Sequence, residues 1–191
     1  MIDFLYSIDV SVFYFINHSI SNPVFDKFFV FITEVKHWYL VYIILLGISI
    51  VYGGRTGRIA AAGAIILITI SDQFSSFTLK DLFARIRPCN VLPDVRDLTG
   101  CSDSYSFPSS HAVNNFAIFI FYTRIYPNLK WVLLISAFLV SLSRVYIGRH
   151  YPSDITGGAI IGMAIGYGVS SLALLTDKYF KNKYRVNIPV E

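Results

Sequence analysis

The stretch SRVYIGRHYPSD, residues Ser143–Asp154, guides the interpretation of the whole chain. Four ionisable residues lie within it, between two strongly apolar runs: Arg144, Arg149, His150 and Asp154. Charged side chains at the end of a membrane helix are tolerated when they reach the aqueous interface or line a functional site. A histidine close to a carboxylate and an arginine supplies a nucleophile, an orienting group and an anion-binding group. Taken alone, the stretch does not decide between interfacial charges and a functional site.

The composition indicates one integral membrane domain. The 191 residues are 54% hydrophobic and 15% charged, with a mean hydropathy of +0.57, which is too apolar for an ordinary soluble domain. The net charge is only +4, and most cations lie at the ends of apolar runs. Membrane topology explains that placement better than nucleic-acid binding does. We therefore expect a bilayer-embedded protein with no nucleic-acid partner.

The apolar runs predict an all-α fold, a polytopic bundle of five transmembrane helices. Residues 1–36 carry polar residues at helical spacing and short apolar pieces, which is typical of amphipathic helices that lie in the membrane interface. We expect one membrane domain over residues 37–177 and a basic cytoplasmic tail over residues 178–191. The five predicted spans are His37–Gly53, Ile59–Leu79, Ala112–Tyr126, Trp131–Val145 and Ile155–Leu175.

Basic residues outside the motifs described below predict the orientation. In a five-span arrangement they all fall on one side, which the positive-inside rule identifies as the cytoplasm. The loop between the second and third spans and the stretch Ser143–Asp154 then face outward together. The residues that set this orientation are Arg55, Arg58, Arg124, Lys130, Lys178, Lys181, Lys183 and Arg185.

The stripe formed by Gly158, Gly162 and Gly166 runs along the last predicted span at four-residue spacing. Small residues at this spacing allow a neighbouring membrane helix to approach closely. We therefore expect this helix to pack tightly in the bundle.

A second charged stretch, KDLFARIRP, covers residues Lys80–Pro88. Lys80 and Arg87 are seven positions apart, so they project from nearly the same side if the second span continues as a helix to Pro88. Both side chains can then reach one anion. Taken alone, the stretch is equally compatible with interfacial cations that bind no ligand.

A third stretch, FPSSH, covers residues Phe107–His111 directly before a predicted span. Ser109 or Ser110 can cap the helix that follows, whose first backbone N–H groups attract phosphate. Taken alone, an ordinary capped helix with a surface histidine explains it as well.

The segments KDLFARIRP, PSSH and SRVYIGRHYPSD resemble, in this order, the three signature motifs of the type 2 phosphatidic acid phosphatase superfamily. That pattern is lysine, six residues, Arg-Pro; then Pro-Ser-Gly-His; then Ser-Arg, five residues, His, three residues, Asp. The match covers residues 80–154 and departs at Ser110, where the family has glycine. A serine still supplies a backbone N–H, but it adds bulk and disfavours positive φ.

The resemblance implies a metal-independent membrane lipid phosphatase that works through a phosphohistidine. It implies that His150 is the nucleophile, that Asp154 orients its ring, and that His111 protonates the leaving oxygen. The residues that it implies for phosphoryl binding are Lys80, Arg87, Ser109, Ser110 and Arg144. Arg85, Arg96 and Arg149 are candidates either for headgroup recognition or for solvated surface positions.

The chemistry of phosphoryl transfer is compatible with these roles. A phosphate monoester gathers charge on its peripheral oxygens, so two arginines and a lysine stabilise the transition state without a metal. One histidine cannot be neutral and protonated at once, which gives a reason for two. The sequence has no His, Cys or carboxylate cluster at metal-ligand spacing, so it predicts activity with no metal or other cofactor.

The expected substrate is an anionic phospholipid or lipid pyrophosphate. The small size and outward site are similar to bacterial members of the family that act on lipid A 1-phosphate or undecaprenyl pyrophosphate. Phosphatidylglycerophosphate and phosphatidic acid are alternatives. We expect a multi-pass protein of the bacterial inner membrane with its site facing the periplasm.

Two rival functions belong to other classes. A lipid phosphotransferase would pass the phosphoryl group from the same histidine to a lipid acceptor. A non-enzymatic transporter of anionic lipids would need charges near mid-membrane in broken helices. The predicted charges cluster at one end of the bundle, which disfavours the transporter.

The two cysteines, Cys89 and Cys101, both lie in the predicted outer loop. In an oxidising compartment a disulfide between them would close a short loop, worth about 3 kcal/mol by loop-entropy estimates. Two free thiols are the alternative. We expect the intact mass to rise by two hydrogens on reduction; two alkylatable thiols in the native protein would contradict the disulfide.

Overall fold

Helices make up all the regular structure in the computed structural model, which describes residues 2–185. The α-helices are α1 (Ile2–Tyr14), α2 (Pro23–Thr33), α3 (Tyr39–Tyr52), α4 (Gly54–Gln73), α5 (Lys80–Phe83), α6 (Pro88–Val91), α7 (Ser110–Ile125), α8 (Lys130–Tyr146) and α9 (Pro152–Arg185), and short π or 3-10 turns join some of them. The all-α prediction is confirmed. The predicted tail begins within α9, and residues 186–191 lie outside the described part, so the division into domains stays a prediction.

Four segments within residues 2–185 are long and apolar enough to cross a membrane: Val35–Tyr52, Gly54–Val91, Pro127–Tyr146 and Pro152–Lys183. They correspond to four of the five predicted spans. The fifth corresponds to α7, which has 16 residues, fewer than the roughly 20 that a helix needs to cross the hydrocarbon core. The five-span topology therefore stays a prediction.

The centre of the bundle is the contact of α7 with α4 and α9. Small side chains let these helices approach, and the buried core that they share is formed by Ala60, Ala64, Leu67, Ala117, Phe121 and Ala173. In contrast, α3 has no buried residue. Its apolar side chains are exposed on the periphery, where a bilayer would solvate them.

Glycines of α9 bring α7 and α9 into backbone contact. A Cβ added to Gly162 would lie 2.2 Å from the carbonyl oxygen of Val113, and one added to Gly166 would lie 2.4 Å from that of Ala117. The residue number rises along both helices from the first contact to the second, so the two helices run in the same direction. Their first residues therefore lie at the same end of the bundle.

Polar contacts hold the N-terminal helices to the end of α8. The Asn17 side chain donates to the carbonyl oxygens of Tyr146, at 2.7 Å, and Arg96, at 3.0 Å. Asp26 of α2 pairs with Arg96 at 2.8 Å and accepts a hydrogen bond from the Tyr146 hydroxyl at 2.6 Å. Arg96 thus makes internal contacts, which neither of its sequence-based interpretations anticipated.

An alanine at Gly162 tests the packing of α7 on α9. We expect Gly162→Ala to destabilise the fold by about 1–3 kcal/mol, the usual cost of overpacking, because the Val113 carbonyl cannot rotate away as a side chain would. Gly168→Ala on the same helix is the matched control, since a Cβ there meets nothing within 4 Å. Thermal unfolding in one detergent compares the two; an unchanged Tm for Gly162→Ala would contradict the packing.

Candidate active site

The stretch Ser143–Asp154 forms the end of α8, a short loop and the start of α9. The loop is fixed by its backbone, because the N–H groups of Arg149 and His150 both donate to the Arg144 carbonyl oxygen, at 3.0 and 3.2 Å. Gly148 allows this turn with a φ of +89°, and a Cβ there would lie 2.8 Å from the carbonyl oxygen of Arg96. The imidazole of His150 is therefore held by a rigid loop.

His150 lies beside Asp154 in the protein interior. Their exposed side-chain fractions are 2% and 0%, and His150 Nδ1 lies 3.5 Å from Asp154 Oδ2. On the other edge of the ring, Arg87 Nη1 lies 3.0 Å from His150 Nε2. A guanidinium can only donate, so Nε2 must be the acceptor. The imidazole is then neutral, with its proton on Nδ1, which faces the carboxylate.

The surroundings of His150 favour the neutral ring. Burial is the main cause that lowers the pKa of His150 well below its ordinary value, and the positive charges of Arg87, Arg144 and Lys80 lower the pKa further. A neutral imidazole with a free lone pair is the form that can attack phosphorus.

Two buried arginines flank this histidine. Arg87 donates to the Ser104 carbonyl and hydroxyl oxygens at 2.7 and 2.9 Å, and to the Arg149 carbonyl oxygen at 3.0 Å. Arg144 donates to the hydroxyl of Thr33 at 2.8 Å. Both guanidinium groups are thus held by neutral acceptors and keep their charge available to an anion.

Lys80 reaches the same region by a route that the sequence did not predict. The shared side of Lys80 and Arg87 would require a helix that continues to Pro88. Instead, α5 ends at Phe83, and Ala84 adopts a left-handed φ of +45°. Arg87 therefore follows in extended backbone. Lys80, which is partly buried, is nevertheless close enough to Arg87 and Arg144 for their charges to interact.

The first residues of α7 complete the cluster. Ser109 precedes the helix and is fully buried; its N–H donates to the Asp154 carbonyl oxygen at 3.2 Å. The Ser110 hydroxyl lies 3.0 Å from that of Ser76. Because Ser110 is the first residue of α7, its backbone is helical and does not need the glycine of the family pattern.

His111 also lies in this cluster, because His111 and Arg144 both contact Thr33. Its Nε2 is 3.3 Å from the carbonyl oxygen of Thr33, to which it can only donate. Thr33, at the end of α2, thus contacts two of the predicted site residues. No local signal in the sequence indicated this residue.

Several buried donor atoms in and beside the cluster lack a hydrogen-bond partner. Within the described part of the chain they are Ser109 Oγ, Arg144 Nε, Arg149 Nε and His150 Nδ1. Buried donors are normally satisfied, so Ser109 Oγ and Arg144 Nε suit an anionic ligand. Among residues 2–185, no group of three or more His, Cys, Asp or Glu side chains is arranged to hold a metal ion.

The loop that precedes α7 supports the site at one edge. Cys89 and Cys101 are joined by a disulfide, with their Cα atoms 6.0 Å apart. Arg149 donates to the carbonyl oxygens of Thr99, at 2.9 Å, and Gly100. Arg149 therefore holds this loop in place instead of facing solvent.

Asp9 is a contact of the site that the sequence interpretation missed, and Arg85, predicted for headgroup recognition or a solvated position, contacts Asp154. Arg85 forms ion pairs with Asp9 and with Asp154, each at 2.7 Å. The only sequence signal was a carboxylate at position 9 within an otherwise apolar helix.

Known proteins are similar to this chain in sequence and in fold. The model of the PAP2 superfamily matches residues 61–176. The lipid A 4′-phosphatase of Bacteroides thetaiotaomicron is 32% identical over 177 residues, which cover 88% of this chain and 76% of that protein. The undecaprenyl-diphosphatase BcrC of Bacillus subtilis is 30% identical over 156 residues, which cover 78% of this chain and 77% of that protein.

A solved structure supports the fold. The transmembrane PAP2 type phosphatidylglycerolphosphate phosphatase from Bacillus subtilis matches with a TM-score of 0.72 at 22% identity, over 88% of this chain and 85% of that one. The region matched by the family model contains all three motif segments, the whole of α7 and α8 and the larger part of α4. The chain therefore belongs to the PAP2 superfamily and is a multi-pass membrane lipid phosphatase.

Proposed function

We propose that this phosphatase removes a phosphoryl group from lipid A or from undecaprenyl pyrophosphate at the periplasmic face of the inner membrane, through a phosphohistidine at His150. The observation that carries the proposal is the hydrogen bond from Arg87 to His150 Nε2, which leaves a neutral ring among buried cations. The named activities of the two relatives support the choice of lipids.

The first step begins when the substrate phosphate binds against Lys80, Arg87 and Arg144. Arg87 then transfers its N–H donor from His150 Nε2 to a phosphoryl oxygen, which frees the lone pair for attack. The Nε2–P bond forms while the bond from phosphorus to the leaving oxygen breaks, and that oxygen takes a proton from His111, whose protonated form is stabilised by the bound phosphate dianion. Asp154 stabilises the proton on Nδ1 as the ring becomes positive.

The second step restores the enzyme. Water attacks the phosphorus of the phosphohistidine while His111, now neutral, takes a proton from it. The N–P bond breaks, inorganic phosphate leaves and the neutral ring returns. Throughout both steps, the cations and the Ser109 hydroxyl face the peripheral oxygens, where charge accumulates in the transition state.

Variants of the histidines test the assigned roles. We expect His150→Ala to lower kcat by at least about 10³-fold, since removal of a nucleophile leaves only binding and electrostatic effects. His111→Ala should lose about 10²-fold to 10⁴-fold on a lipid, but much less on an aryl phosphate whose leaving group needs no proton. His37→Ala is the control, because His37 is exposed and contacts the Phe31 carbonyl oxygen instead of the site.

The measurements for these variants are phosphate release and acid-labile labelling of the protein by radioactive substrate. Near wild-type turnover by His150→Ala would overturn the mechanism.

A panel of lipids tests the substrate assignment. Purified protein in detergent is given lipid A phosphorylated at the 1 or the 4′ position, undecaprenyl pyrophosphate, phosphatidylglycerophosphate and phosphatidic acid. We expect the highest kcat/KM with one of the first three, since relatives are named for lipid A and undecaprenyl activities. Label that moves into another lipid would identify a phosphotransferase, and no release from any lipid would contradict the proposal.

A further inference from the structure

Arg85 joins two carboxylates that are distant in the sequence. Its Nη1 donates to Asp154 Oδ1 and its Nη2 donates to Asp9 Oδ2, each at 2.7 Å. The exposed side-chain fractions are 26% for Arg85, 9% for Asp9 and 0% for Asp154. The guanidinium also lies over the ring of Tyr151, with Cζ 3.9 Å from its centroid. Arg85 is therefore held on several sides.

A second contact ties Asp9 to the start of α9. Its Oδ1 accepts from the Ser153 N–H at 2.8 Å and its Oδ2 accepts from the Ser153 hydroxyl at 2.5 Å. The Ser153 hydroxyl in turn accepts from Arg85 Nη1 at 2.6 Å. A carboxylate near a helix N-terminus stabilises that helix. The hydrogen bonds between Asp9 and Ser153 therefore anchor α1 to the turn that carries Asp154.

The two carboxylate oxygens of Asp154 have different partners. Oδ1 is held by Arg85, while Oδ2 accepts from the Tyr151 N–H at 2.9 Å and faces His150 Nδ1. A carboxylate with no exposed surface needs a charged partner, and here Arg85 is the partner at 2.7 Å. The same contact fixes the rotation of the carboxylate and hence the direction in which Oδ2 points.

We propose that Arg85 is a positioning residue for the His150 ring, acting through Asp154, and that Asp9 of α1 holds Arg85 in place. This inference rests on the proposed function, in which His150 is the nucleophile. Removing a residue that orients a reacting side chain typically lowers activity by about 10-fold to 100-fold, because a small displacement of the reacting group slows the reaction.

A competing role for Arg85 follows from its surroundings. Arg85 and Asp9 line a cleft of about 520 Å³ along the apolar side chains Leu5, Ile8 and Val12 of α1. A lipid headgroup bound there would use Arg85 for substrate recognition. That role predicts a rise in KM, whereas positioning of the nucleophile predicts a fall in kcat.

Kinetics of four variants distinguish these roles: Arg85→Gln, Arg85→Lys, Asp9→Asn and the double variant Asp9→Asn/Arg85→Gln. We expect kcat to fall about 100-fold for Arg85→Gln and about 10-fold for Asp9→Asn, with KM changed less than about 3-fold. Arg85→Lys should restore part of kcat. In the double variant, Asp9→Asn should add less than it does alone, because its effect passes mainly through Arg85 and only in part through Ser153.

Asp26→Asn is the matched control. Asp26 also joins an N-terminal helix to the bundle through an arginine, Arg96, but neither residue contacts Asp154. We expect this variant to lower Tm and to keep kcat. If Arg85→Gln does not fold, the comparison of Asp9→Asn with Asp26→Asn decides the test.

The outcomes separate the inference from the proposed function. A rise in KM alone, additive effects in the double variant, or equal kcat for Asp9→Asn and Asp26→Asn would overturn the positioning role, while an inactive His150→Ala leaves the proposed function intact. An active His150→Ala would overturn the proposed function itself.

Discussion

The site depends on the burial of several cations around a neutral histidine. Lys80, Arg87 and Arg144 repel one another, and burial deprives their charges of water. The protein holds the two arginines mainly with neutral oxygen atoms, such as those of Thr33 and Ser104. Such contacts fix the geometry without neutralising the charge. The cluster is therefore complementary to a dianionic phosphoryl group, which in the proposed function would supply the compensating charge.

The helix bundle explains why residues that are distant in the sequence meet at one place. The glycines of α9 set a close, same-direction packing on α7, so Ser109 and Asp154 lie at the same end and are joined by a backbone hydrogen bond. Helix α8 returns the chain to this end, and the loop that follows it carries His150. Close backbone packing thus converts the motif spacing in the sequence into a fixed arrangement of side chains.

The sequence predicted the helical class, most of the spans and the residues that assemble the cluster, because apolar runs and motif spacing are local signals. It failed where tertiary geometry decides. A helix that continued to Pro88 would carry Lys80 and Arg87 on the same side. The helix instead ends before Ala84, and the extended chain after it still brings Arg87 close to Lys80. Asp9, Thr33 and Arg85 could not be assigned, since the pairing of a charge with a residue far along the chain leaves no periodic pattern.

Asp9 and Thr33 both lie on N-terminal helices, and this position bears on how the substrate reaches the proposed site. Asp9 lies on α1 and Thr33 on α2, two helices whose remaining apolar side chains are largely exposed. The sequence predicts that both helices lie in the membrane interface, where burial stabilises an amphipathic helix. Because Asp9 contacts Arg85 and Thr33 contacts Arg144, that placement would stabilise the same contacts that support the proposed site. A lipid phosphate would reach the proposed site at the same depth, so the contacts that form the pocket and the surface that delivers the substrate would depend on the same bilayer.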